Sequence, residues 1–86
     1  MRYVVLIEYT DPAAREEALE RHRRYLAQGR ERGVVLESGA FADGKGGMYI
    51  LDLPDEHSAR DFVAHDPYWE AKLKLTIRAW LATKAK

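Results

Sequence analysis

Two hydrophobic periods alternate along the chain, and their order predicts the fold. Residues 2–9 (RYVVLIEY) are β-branched or aromatic at most positions and read as a strand. Tyr3, Val5, Ile7 and Tyr9 fall on one face, with Val4, Leu6 and Glu8 on the other. Both faces are largely apolar, so both need covering, one by the domain's own helices and the other by a partner. Thr10-Asp11-Pro12 is a helix start, with Asp11 as N-cap and Pro12 at the first helical position. The helix is expected to run to Arg32, where Gly33 stops it. Its inner stripe is Ala18, Leu19, His22, Leu26 and Gly29, with Tyr25 at the edge. Arg15, Glu16, Glu20, Arg23, Arg24 and Arg30 make the solvated side, with Glu20–Arg24 a favourable i, i+4 pair.

Val34 to Ala40 reads as a second strand and Met48 to Leu53 as a third, joined by a turn-rich stretch, Asp43-Gly44-Lys45-Gly46-Gly47. That glycine cluster lacks the lysine-serine ending and strand-to-helix context of a phosphate loop, so it is read as turn chemistry. Gly39, late in the second strand, either relieves a bulge or lets a ligand approach the backbone. Pro54-Asp55-Glu56 opens a second helix, with Asp55 as N-cap and Ala59, Phe62 and Val63 inward. Pro67 disfavours the α conformation at Asp66, so this helix ends there, followed by a short extra turn through Lys72. Strict alternation from Leu73 to Ala82 gives the last strand. The order βαββαβ predicts a ferredoxin-like α+β domain. Four antiparallel strands lie in the order 4-1-3-2, with both helices on one face. A homodimer packed sheet to sheet would bury the other face.

Composition narrows the function. At 86 residues the chain is one domain, 1–86, with one core, near the size where burial alone barely suffices. Without cysteine it can form neither a disulfide scaffold nor a thiolate metal site. The 14 basic and 14 acidic side chains cancel, which argues against a nucleic-acid binder. No apolar run approaches the ~20 residues of a membrane span, and the sequence opens on a strand rather than a signal peptide. A soluble, cytoplasmic protein is expected.

The candidate chemistry centres on His65-Asp66-Pro67-Tyr68-Trp69. A carboxylate at a helix C-terminus faces carbonyls of like polarity, so Asp66 needs a compensating donor. His22, pointing inward from the other helix, is the best candidate. Taken alone, His22 is as simply read as a core-edge histidine bonded to a carbonyl or to Tyr3. A buried imidazole needs a partner, however, and so does a buried carboxylate. His57 reads as a surface residue. The three histidines fall on different turns, and no metal or other cofactor is expected.

With these residues in place the chain resembles the YciI-like (YCII-related domain) family over nearly its whole length. The resemblance rests on the YVVLIEY strand, a histidine midway along the first helix, Gly33-Val34-Val35-Leu36-Glu37-Ser38-Gly39, and Asp66-Pro67-Tyr68 before a strand ending in Trp80. It implies a dimeric α+β barrel with a histidine–aspartate pair in a cleft, here His22 and Asp66, sometimes joined by a serine, here Ser38. The short segment between Gly39 and Met48, and Ala40-Phe41 where the family commonly has proline, alter the mouth of that cleft. A few members resemble dechlorinating or lactone-isomerising enzymes, which implies a small aromatic or lactone ligand. An aspartate on one imidazole nitrogen fixes the tautomer and makes the other nitrogen a better base. His22–Asp66 is thus a candidate general acid/base pair for a lyase or isomerase. Tyr68 and Trp69 would wall the site, and Ser38 and Gly39 would contact substrate. No nucleophile elbow or oxyanion hole supports a Ser-His-Asp hydrolase. The competing reading is a non-catalytic ligand-binding or dimerisation module, in which the pair ties the helices together.

Overall fold

The computed structural model describes residues 1–85. Its elements are β1 (Arg2–Glu8), α1 (Pro12–Glu31), β2 (Val35–Ala40), β3 (Gly46–Asp52), α2 (Glu56–Ala64), α3 (Pro67–Glu70) and β4 (Lys74–Trp80). The strands form one sheet in the order β2-β3-β1-β4, antiparallel at every pairing. This is the ferredoxin-like α+β arrangement that the element order predicts.

The sheet's inner face is built on β1. Tyr3, Val5 and Ile7 stand opposite Leu51, Tyr49 and Gly47 on one side and Ala79, Ile77 and Leu75 on the other. Ala18 and Leu26 of α1 and Ala59, Phe62 and Val63 of α2 close over this face to make one core. Each Val, Leu, Ile or Phe fully buried in this way stabilises the fold by about 1.5–3 kcal/mol. Asp11 caps α1 by accepting from the Ala14 N–H at 3.1 Å, and Gly33, at φ +75°, ends it. Gly29 lets α1 sit close, since a Cβ there would stand 2.7 Å from Val35 Cγ2 and 3.2 Å from the Phe62 ring.

Three local features depart from the sequence reading. First, β3 begins at Gly46 rather than Met48, because Gly46 and Gly47 belong to the ladder as well as to the approach of the turn. A Cβ on Gly47 would come within 2.6 Å of the Gly39 carbonyl oxygen. The turn chemistry is confined to Phe41–Lys45, where Gly44 takes φ +74° and Asp43 Oδ1 accepts from the Lys45 N–H at 2.9 Å. Second, the bulge of β2 lies between Val35 and Glu37, not at Gly39, which pairs regularly with Met48. Third, α1 is laced by Glu17–Arg21, at 2.9 Å, and by Glu20–Arg23 in place of the expected Glu20–Arg24 pair. On the outer sheet face Val4, Leu6, Met48 and Ile50 form a half-buried apolar centre, and among the described residues no helix covers it.

Candidate active site

Asp66 sits where two helical segments meet. α2 closes at Ala64 with His65 as C-cap, and Pro67 holds Asp66 extended, at φ −69° and ψ 128°. That conformation makes Asp66 the N-cap of α3, with Oδ1 accepting from the Tyr68 N–H at 2.9 Å. The unfavourable helix C-terminus inferred from the sequence is therefore corrected. The chain turns far enough at Pro67 for the carboxylate to face free N–H groups of the next turn instead of carbonyls of the last.

Two side chains complete the shell. His22 Nδ1 lies 2.7 Å from Asp66 Oδ1, and the Tyr49 hydroxyl donates to Oδ2 at 2.9 Å. Asp66 is wholly buried and His22 nearly so. A backbone N–H, a phenol and an imidazole all direct hydrogen at one carboxylate, the arrangement an ionised side chain requires. Nδ1 therefore carries a proton, and in the neutral imidazole Nε2 keeps the lone pair. Among the described residues Nε2 has no hydrogen-bond partner, and it is not sealed from solvent.

Tyr68 lies flat on the imidazole, with ring centroids 3.6 Å apart and planes 3° from parallel. The ring is thus held on one face by stacking and at one nitrogen by charge. Tyr49 is the member the sequence reading missed. Its signal was present: a tyrosine at an inward strand position needs a partner for its hydroxyl. Burial first, and then the Asp66 charge, push the Tyr49 phenol well above the usual tyrosine range, so it remains a donor. Tyr25, whose hydroxyl donates to the Phe62 carbonyl at 2.6 Å, is pushed up to about 12 by burial and then by Asp66.

A cavity of about 640 Å³ opens beside the imidazole, lined by His22, Tyr68, Ser38 and Gly39 among others. That is ample for one ring, since ligand pockets run to about 300–1,000 Å³. Ser38 shares the cavity with His22 without bonding to it, and instead accepts from Arg30 Nη1 at 2.8 Å. Trp69 does not wall the site. It is 48% exposed and lies outside the cavity lining, because consecutive residues on a helical turn diverge by about 100°. His57 and His65 are exposed, and among the described residues no three acidic or histidine side chains converge as metal ligands.

The YCII-related domain model matches residues 1–81. The chain belongs to the YCII-related domain family. The fold is shared with 5-chloro-2-hydroxyhydroquinone dehydrochlorinase (TftG) of Burkholderia phenoliruptrix AC1100, solved in complex with 2,5-dihydroxybenzoquinone. The two align with a TM-score of 0.69 and 16% identity over 93% of each chain. No curated protein sequence matches this YCII-related domain. Among its described residues no helix is long and apolar enough to cross a membrane.

Proposed function

We propose that this YCII-related domain is a cofactor-independent enzyme acting on a small ring compound, with His22 as general base and later general acid. Asp66 is its positioning residue. The observation that carries the reading is the 2.7 Å contact between Nδ1 of His22, a residue lining the cavity, and a fully buried carboxylate. Nε2 takes a proton from a C–H or O–H of the ligand. In a dehydrochlorination of a ring's keto form, the O–H electron pair closes a C=O and the neighbouring C=C shifts toward the halide-bearing carbon. The C–Cl bond then breaks, and proton and chloride leave as net HCl. In a lactone isomerisation the same proton returns to another carbon, and no group is lost. The likeness of fold to a dehydrochlorinase supports this class of chemistry over others. Ser38 and Gly39 contact the ligand and Tyr68 holds the imidazole plane. The protein works in the cytoplasm as a homodimer, packed through Val4, Leu6, Met48 and Ile50. Light scattering should give twice the chain mass, and a stable monomer at micromolar concentration would remove the dimer.

The second reading is structural. Asp66 joins α1, β3 and α3 through three hydrogen bonds, a tie that would merit retention without catalysis. A thermal-shift screen of phenolic, halogenated and lactone compounds, followed by chloride release and product analysis, separates the two. His22→Ala should lower turnover by about 10²–10⁴-fold, the worth of a positioned general base, while the protein stays folded. Loss of stability with no ligand effect would favour the tie.

A further inference from the structure

Four arginines of α1, Arg15, Arg23, Arg24 and Arg30, line the cavity that holds His22, against one carboxylate, Glu20. The chain as a whole has no net charge, so this is a local excess, in a concave space that concentrates the field. Two of the four are already engaged. Arg15 lies over the Tyr9 ring at 4.5 Å and reaches Glu16 at 3.8 Å, and Arg23 reaches Glu20 at 3.7 Å. Among the described residues, Arg24 and Arg30 have no carboxylate within ion-pair distance. Arg30 is the one held in place, since its Nη1 donates to Ser38 Oγ on the facing strand at 2.8 Å. Ser38 spends a lone pair in that bond and keeps its O–H to donate. Both Arg30 and Ser38 line the cavity that His22 lines, so a ligand in it can reach these donors. A fixed guanidinium with a hydroxyl donor beside it matches the two oxygens of a carboxylate.

We infer that the cavity takes an aromatic carboxylate, with the carboxylate seated on Arg30 and Ser38. The inference rests on the reading of this cavity as the ligand site of His22 and adds the charge of the ligand. Ser38 thereby becomes a specificity residue rather than a nucleophile. The test titrates the whole chain with 2-hydroxybenzoate and with its neutral counterpart 2-hydroxybenzamide, following backbone amide shifts and heats. Wild type should bind the carboxylate about tenfold or more tightly than the amide, the worth of one charge-assisted hydrogen bond. Arg30→Gln should bring the two within about twofold, since the charge-assisted bond is then gone. Arg30→Lys should retain part of the preference, and Arg60→Gln, which removes a positive charge of α2 outside the cavity, should retain all of it. Equal binding of the two probes by wild type overturns the inference. So does no binding of either at millimolar concentration, or an equal loss of preference in Arg60→Gln. A neutral compound turned over with the same kcat/KM by wild type and Arg30→Gln would leave His22 as the base and remove the carboxylate.

Discussion

Replacing Asp66 by asparagine and by alanine should have very different costs, because the three hydrogen bonds it accepts are not equally replaceable. An asparagine oxygen in the Oδ1 position still accepts from His22 Nδ1 and from the Tyr68 N–H. Its amide group then stands where Oδ2 was and donates to the Tyr49 hydroxyl, which can rotate to accept. What is lost is the charge, and charge-assisted bonds are roughly twice as strong as neutral ones. A cost of about 1–2 kcal/mol follows. Alanine leaves the Tyr49 hydroxyl and His22 Nδ1 facing a void, both within the buried interior. Leaving those two buried donors unsatisfied costs about 1–3 kcal/mol each. The three bonds do not simply add, since their members share one carboxylate. A domain of 86 residues is stable by roughly 4–13 kcal/mol in all, so alanine removes a large share of the total. Urea unfolding at fixed protein concentration measures both variants. At about 4–8 °C per kcal/mol, asparagine should lower Tm by about 4–16 °C and alanine by far more. Equal destabilisation by the two, or an alanine variant within about 1 kcal/mol of wild type, well short of the cost of two unsatisfied buried donors, would contradict this accounting of the three bonds.

Other outcomes follow from the same contacts. Gly29→Ala gains about 1 kcal/mol of helix propensity but sets a Cβ 2.7 Å from Val35 Cγ2. Overpacking costs about 1–3 kcal/mol, so chemical denaturation should show a net loss. Tyr25 and Tyr49 keep their protons in the folded state at pH values where the unfolded chain, titrating near 10.0, releases them. Stability is therefore fully present below pH 10.0 and falls as pH rises toward about 12, where Tyr25 itself titrates. Tyr25→Phe should lessen that fall in unfolding curves taken across this window, and an unchanged slope would contradict it.

Much of the fold was legible because its signals are local. The alternation of Leu73–Ala82, the Asp11-Pro12 and Asp55-Glu56 helix starts and the stop at Gly33 each act within a few residues, and the element order then leaves few topologies. His22 and Asp66 could be brought together by a different argument: His22 lay on an inward stripe and Asp66 at a helix end, each needed a partner, and the family resemblance named the same two positions. What could not be read depends on which side chains meet across elements. Tyr49 reaches Asp66 only because β3 lies beside β1 in the register that sets Tyr49 opposite Val5. Ser38 meets Arg30, and not His22, through the packing of α1 on β2. Gly46 and Gly47 looked like loop residues because glycine marks turns, but close backbone approach selects glycine equally well. Trp69 was misplaced because two adjacent aromatic residues on a helical turn cannot face one cavity together.

As the proposed general base, His22 presents an unprotonated Nε2 to the cavity while Nδ1–H is held by Asp66. Long-range nitrogen–proton correlation spectra of the imidazole at pH 8, above the ordinary histidine range, test this without a known substrate. The account predicts the Nδ1–H tautomer in the wild type, with Nε2 unprotonated and shifting when a ring compound from the screen is added. It also predicts loss of the single tautomer in Asp66→Ala. A His22 protonated on Nε2 alone would place the Nδ1 lone pair 2.7 Å from a carboxylate oxygen. That result, or an Nε2 signal indifferent to every ligand that binds, would contradict the account.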